Sequence, residues 1–243
     1  MNVFEKIDIL GIGFANVTQE QVLEFITKGL ENQTEKYYIV TPNPELLVIA
    51  NADPDYKRIL NHARLALADG VGVMLAAKLA WKPLKQRITG VDMVENLCRK
   101  VANQPVTVGF IGSGPGVAEL AAECLRKKYS GLKVKLVAPE WSDEFKDTKI
   151  DILFVAFGSP KQEIWISDNL QKLPVKVAIG VGGAFDFISG RVPRAPKFLR
   201  SIGLEWLFRL IIQPWRIRRQ LSLIKFMFLV ITKTVLQTSA KIK

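Results

Sequence analysis

The stretch ILFVAFGSPKQEIWISDNLQKLPVKVAIGVGGAFDF, residues 152–187, decides the fold class. Its two apolar runs, Ile152–Phe157 and Val175–Val181, have the length and composition of strands buried on both faces. Between them a helical pattern runs from about Lys161 to Leu170. Strand, helix and strand within about 30 residues make a βαβ unit, so the two strands run parallel. Each strand ends in glycine and polar residues, Gly158-Ser-Pro-Lys-Gln162-Glu163 and Gly182-Gly183-Ala184-Phe185-Asp186.

The same rhythm extends towards the N-terminus. Ile7–Ile12 reads as a strand, and Thr18-Gln19-Glu20-Gln21 as a capping box opening a helix to about Asn32. Tyr37–Val40 is a strand running into Thr41-Pro42-Asn43-Pro44-Glu45, where Pro44 suits the first turn of a helix. Leu65–Ala68 is a short strand ending at Asp69-Gly70, with an apolar helix from about Val71 to Leu79. Val106–Ile111 leads through Gly112-Ser113-Gly114-Pro115-Gly116 into a helix to about Lys128, and Lys133–Val137 is another strand. The segment from there to Asp151 is short, which predicts a reduced helix at the sheet's periphery. The expected fold is α/β: a Rossmann-like, mostly parallel sheet with helices on both faces over residues 1–195. Residues 196–243 are expected to form a basic, apolar helical appendage.

Charge divides the 243-residue chain at the same place. Residues 1–190 hold 22 basic and 22 acidic side chains, whereas residues 191–243 hold 12 basic residues and one acid, Glu205. The net charge of +11 therefore belongs to the C-terminal segment, which implies an anionic partner. That segment also carries Trp206, Phe208, Trp215, Phe226 and Phe228, a mixture suited to a bilayer interface rather than to nucleic acid. The apolar run from Phe226 to Thr232 is seven residues long, and a span needs about 20. Arg218, Lys225 and Lys233 fall on one helical stripe. Membrane contact is the favoured reading, with docking on the core or on a sister subunit as the alternative. Met1–Leu10 lacks the apolar core of a secretory signal. Cys98 and Cys124 read as helix-face core thiols, and a single histidine, His62, excludes a multi-histidine metal site.

In parallel sheets ligands bind beyond the carboxyl ends of the strands, and four polar clusters collect there. Asp69 ends a buried strand, so desolvation would raise its pKa towards that of a general base; capping the next helix is the competing role. Asp53-Pro54-Asp55 resembles a metal-binding D-x-D, but its setting between helical stretches favours a cap. The loop at 112–116 matches only part of a dinucleotide fingerprint, because the sixth position is Val117. Arg87, alone, would be a solvated charge. A nicotinamide-dependent oxidoreductase and a non-catalytic basic adaptor are the rival classes.

Several stretches together resemble the WecG/TagA/CpsF family of bacterial glycosyltransferases: TPNPE at 41–45, ADGVG at 68–72, RITGVD at 87–92 and FGSPKQEIW at 157–165. GVGGAFDFISG at 180–190, RAP at 194–196, GLEWLFRL at 203–210 and QPWRIRR at 213–219 complete the set. The resemblance implies metal-independent, cofactor-free, inverting transfer from a UDP-sugar donor to an undecaprenyl-diphosphate-linked sugar at the cytoplasmic membrane face. It implies N-acetylmannosamine, or its uronic acid, moved onto lipid-linked N-acetylglucosamine for teichoic acid or surface polysaccharide. It makes Asp69 the base and Thr41, Asn43, Arg87 and Gln162 polar contacts in the same pocket. Arg209, Arg216 and Arg219 become diphosphate contacts on an appendage that closes over the pocket. A homo-oligomer in solution, burying the apolar tail, fits the same picture.

Overall fold

The computed structural model describes residues 4–32 and 35–241; the side chains of residues 32, 216, 218–220 and 234–241 lie outside that description. The chain opens with a hairpin, β1 (Lys6–Ile9) and β2 (Ile12–Ala15), paired antiparallel in a two-stranded sheet of its own. A single strand over Ile7–Ile12 is therefore incorrect. Leu10 and Gly11 both adopt positive φ, 54° and 85°, the backbone that a two-residue hairpin turn requires, and the chain reverses there.

Next come α1 (Gln19–Asn32), β3 (Tyr37–Val40), α2 (Pro44–Ala52), α3 (Pro54–His62), β4 (Leu65–Ala66), α4 (Val71–Leu79) and α5 (Gly90–Val101). Then follow β5 (Thr107–Gly112), α6 (Val117–Lys128), β6 (Lys133–Ala138), β7 (Ile150–Ala156), α7 (Lys161–Asn169), β8 (Val175–Gly180) and α8 (Ala184–Ile188). The capping box forms as read: the Thr18 amide donates to Gln21 Oε1 at 2.9 Å, and the Gln21 amide to Thr18 Oγ1 at 3.3 Å. Between β6 and β7 there is only a 3-10 turn, Asp143–Phe145, in keeping with the reduced helix.

Six strands form one parallel sheet in the order β4-β3-β8-β7-β5-β6. Strand alternation sends side chains into two cores. From β7, Ile152 and Phe154 pack with α1, α5, α6 and α8, whereas Leu153 and Val155 pack with α2, α3, α4 and α7. Each face is covered, so the central strands are apolar over most of their length, whereas the edge strand β6 keeps Lys133 and Lys135 exposed. Cys98 lies in the first core, but Cys124 on α6 is exposed, which corrects its reading as a core thiol. Its helix turns that side chain to solvent while Ala121, Ala122 and Leu125 face inward.

After the sheet come α9 (Lys197–Ser201), α10 (Glu205–Ile212) and α11 (Ile217–Lys241). Gln213 and a 3-10 turn at Pro214–Arg216 separate the last two, so Arg209 and Arg219 stand on different helices. One face of α11 docks on the second core: Phe226 and Val230 are buried, and Leu223 and Met227 pack beside them. Gly72 of α4 permits this approach, since a Cβ there would lie 2.8 Å from Pro44 Cγ and 3.0 Å from Leu223 Cδ1. A second face, with Ile217, Leu221, Ile224, Phe228 and Ile231, is exposed, roughly 130° around the helix from the first. Among the described residues no helix is long and apolar enough to cross a membrane.

Candidate active site

Four strands deliver polar residues to one cavity of about 450 Å³ at the sheet's carboxyl edge. β3 supplies Thr41 and Asn43, β4 leads to Asp69, β7 to Gly158, Ser159 and Gln162, and β8 to Val181–Ala184. Arg87 and Thr89 enter ahead of α5, and Glu205, Trp206 and Arg209 of α10 form the opposite wall. Leu223 and Met227 of α11 also line it, so the C-terminal helices are part of the cavity. Gly90 lets the start of α5 reach β8: a Cβ there would lie 2.5 Å from the Val181 carbonyl oxygen.

Asp69 is only partly exposed and lines the cavity. Burial raises its pKa from the ordinary 3.8 to about 7; Arg87 and Arg209 oppose the shift, and Glu205 and Asp92 reinforce it. The capping alternative does not hold, because α4 starts from Gly70 with no side-chain cap. Asp69 is thus a carboxyl group whose proton leaves near neutrality, at the wall of a cavity that holds two arginines. Such a group can take a proton from a hydroxyl while the arginines face an anionic leaving group.

The sequence pattern defining the glycosyl transferase WecG/TagA/CpsF family matches residues 7–240. The chain belongs to that family. A Bacillus spizizenii relative, named N-acetylglucosaminyldiphosphoundecaprenol N-acetyl-beta-D-mannosaminyltransferase, is 36% identical over 202 residues, covering 80% of this chain and 79% of that protein. A Staphylococcus aureus protein of the same name is 34% identical over 232 residues, covering 92% of this chain and 91% of its own. A fragmentary dinucleotide loop and a basic tail thus sit within a WecG/TagA/CpsF glycosyltransferase, and neither rival class describes the chain.

The other sequence candidates of this glycosyltransferase have local roles as well as a place in the cavity wall. Thr41 is buried and donates from Oγ1 to the Gly180 carbonyl at 3.2 Å, tying the end of β3 to β8. Asn43 caps α2, its Oδ1 accepting the Leu46 amide at 3.2 Å. Gln162 Oε1 accepts the Gly182 amide at 3.0 Å, while Nε2 donates to Glu163 Oε1 at 2.6 Å. Arg87 lies 3.7 Å from Glu205 and donates to the Arg200 carbonyl at 3.4 Å. Arg209 stacks over the Phe187 ring at 4.5 Å from its centre. The side chains of Arg216 and Arg219 lie outside the described residues. Asp53 caps α3, accepting the Asp55 and Tyr56 amides at 3.0 Å each, which leaves the D-x-D a capping motif.

Two features escaped the sequence reading. Glu163 is buried beneath the β7 loop and accepts from Tyr56 Oη at 3.1 Å and Ser159 Oγ at 2.8 Å, as well as from Gln162. Glu205 stands between Arg87 and Arg194; its signals in the sequence were its solitude among 12 basic residues and its place in GLEWLFRL, neither of which named a partner.

Proposed function

We propose that this glycosyltransferase moves N-acetylmannosamine from a UDP-sugar to N-acetylglucosaminyl-diphosphoundecaprenol, with inversion, at the cytoplasmic face of the membrane. The observation that carries the catalytic part is Asp69, a carboxyl group raised to about 7 in a cavity walled by arginines. The names of the relatives supply the transferred sugar and the acceptor. As the acceptor oxygen attacks the anomeric carbon, its proton passes to Asp69, the new C–O bond forms, and the bond to the UDP oxygen breaks. Arg87 and Arg209 stabilise the charge growing on the diphosphate, a stabilisation that strengthens once the C-terminal helices exclude water. Thr41, Asn43 and Gln162 hold the loops that shape the cavity and offer polar contacts to the sugars. No metal enters this scheme.

The exposed apolar face of α11, flanked by Lys225, suits the bilayer interface, with Trp215 at its start. Seating that face on the membrane would bring the cavity mouth to the headgroups, where a lipid-linked diphosphate resides. The test is UDP release from UDP-N-acetylmannosamine with the lipid acceptor in vesicles, with EDTA present. Release that occurs only with acceptor supports the reading; release unaffected by Asp69→Asn contradicts it.

A further inference from the structure

Glu205 is the only acid in the last 53 residues, and it opens α10 facing inward, with its side chain 17% exposed. Its two carboxylate oxygens address two arginines, one on the loop ahead of α5 and one on the loop between α8 and α9: Oε2 is 3.7 Å from Arg87 Nη2, and Oε1 is 3.5 Å from Arg194 Nε. Arg194 is otherwise held by Asp92, at 2.6 Å, and by Glu95, at 4.0 Å, both on α5. Its Nε is buried and makes no hydrogen bond among the described residues, so Glu205 is the charge that answers that edge of the guanidinium. Arg87 is pinned from the same side by the Arg200 carbonyl at 3.4 Å. Both arginines are thus tied to the C-terminal helices by a single side chain and one carbonyl.

We propose that Glu205 is a positioning residue that couples the seating of the C-terminal helices to the strength of the base, by fixing Arg87 and balancing its charge beside Asp69. The inference rests on the reading of Asp69 as base. The charged groups that act on Asp69 are Arg87 ahead of α5, Asp92 on α5, and Glu205 and Arg209 on α10; Glu45 of α2 lines the same cavity. Two of them, Glu205 and Arg209, arrive with α10. With α10 seated, Glu205 offsets Arg87, and Asp69 keeps the raised pKa of a base matched to neutral pH. With α10 displaced, water reaches Asp69 and Arg87 loses its counter-charge; both changes stabilise the Asp69 carboxylate and outweigh the departure of Arg209, making Asp69 a weaker base. Full basicity therefore coincides with the closed cavity, and a sugar nucleotide bound to an open enzyme meets a poorer base and is spared hydrolysis.

The test is the pH profile of kcat/KM for UDP release with vesicle-borne acceptor, comparing wild type, Glu205→Gln and Asp69→Asn. Loss of the negative charge lowers the pKa of Asp69, so the acid limb of Glu205→Gln should move to lower pH by about 0.5–1 unit. The KM for the UDP-sugar should rise several-fold as Arg87 loses its anchor. A purely structural residue would lower the whole profile and leave the limb in place, and that result would overturn the proposal. If Glu205→Gln does not fold, judged by its thermal transition, Glu205→Asp draws the charge back by one methylene. It should shift the limb in the same direction by less, and an unmoved limb again overturns the proposal. Failure of the underlying reading is separate: Asp69→Asn would then retain turnover whatever Glu205 does.

Discussion

At Asp69, the proposed role as base and the stability of the fold pull in opposite directions. A carboxyl group with pKa near 7 binds its proton more tightly in the folded chain than in the unfolded one, where its value is near 3.8. Stability is therefore lost as pH rises between those values, and the full cost is present above about pH 7. Asp69→Asn removes that cost. The variant should equal wild type in stability near pH 4 and exceed it at pH 8 by up to roughly 4 kcal/mol, at about 1.4 kcal/mol per pH unit. Thermal unfolding at the two pH values reads the difference; an Asn variant with no gain at pH 8 would mean that the carboxyl group is well solvated. The same substitution should cut turnover by about 10²–10⁴-fold, the range for loss of a general base. Asp69 was legible in the sequence because a buried apolar run ended on a carboxylate at a strand's carboxyl end. Glu205 and Glu163 were not, since their meaning lies in partners from distant segments: Arg87 and Arg194 for one, Tyr56 for the other.

Among the elements, local signals foretold what local forces decide. Hydrophobic periodicity located the helices α1, α4, α6 and α7, and the Thr18 capping box marked the start of α1. The hairpin at β1 and β2 went unseen because Leu10, a residue that rarely takes positive φ, occupies the turn position where asparagine or glycine would have announced it. The docking of α11 was equally opaque: it depends on Gly72 and Pro44 forming a seat for Leu223 and Phe226. That seat can be tested. Phe226 is fully buried, so Phe226→Ala should cost about 3–5 kcal/mol of docking free energy and release the helix before the sheet unfolds. Hydrogen exchange along α11 would rise while the amides of β7 and β8 stay protected; uniform loss of protection would instead make α11 part of the same cooperative unit.

For the molecule as a whole, charge and apolar surface are both concentrated at the C-terminal end. The two apolar faces of α11 differ: one docks on the core and lines the cavity, and the other is exposed, the face proposed above for the bilayer. Ile224→Glu with Phe228→Glu should weaken binding to vesicles containing anionic lipid at least ten-fold, while UDP binding in solution stays near wild type. Raising salt should weaken the wild-type interaction as well, because the basic residues act within a Debye length of about 10 Å at 0.1 M. Vesicle binding unchanged by the paired substitutions would assign that face to a contact between copies of the chain.

One assay bears on the central claim more directly than any other. Purified protein is given UDP-N-acetylmannosamine in EDTA, with and without the undecaprenyl-diphosphate-linked N-acetylglucosamine acceptor, beside Asp69→Asn. The expected result is UDP release that requires the acceptor, proceeds in EDTA and collapses in the variant. Release that ignores the acceptor, or an Asp69→Asn enzyme that turns over at the wild-type rate, would contradict transfer by a base at Asp69.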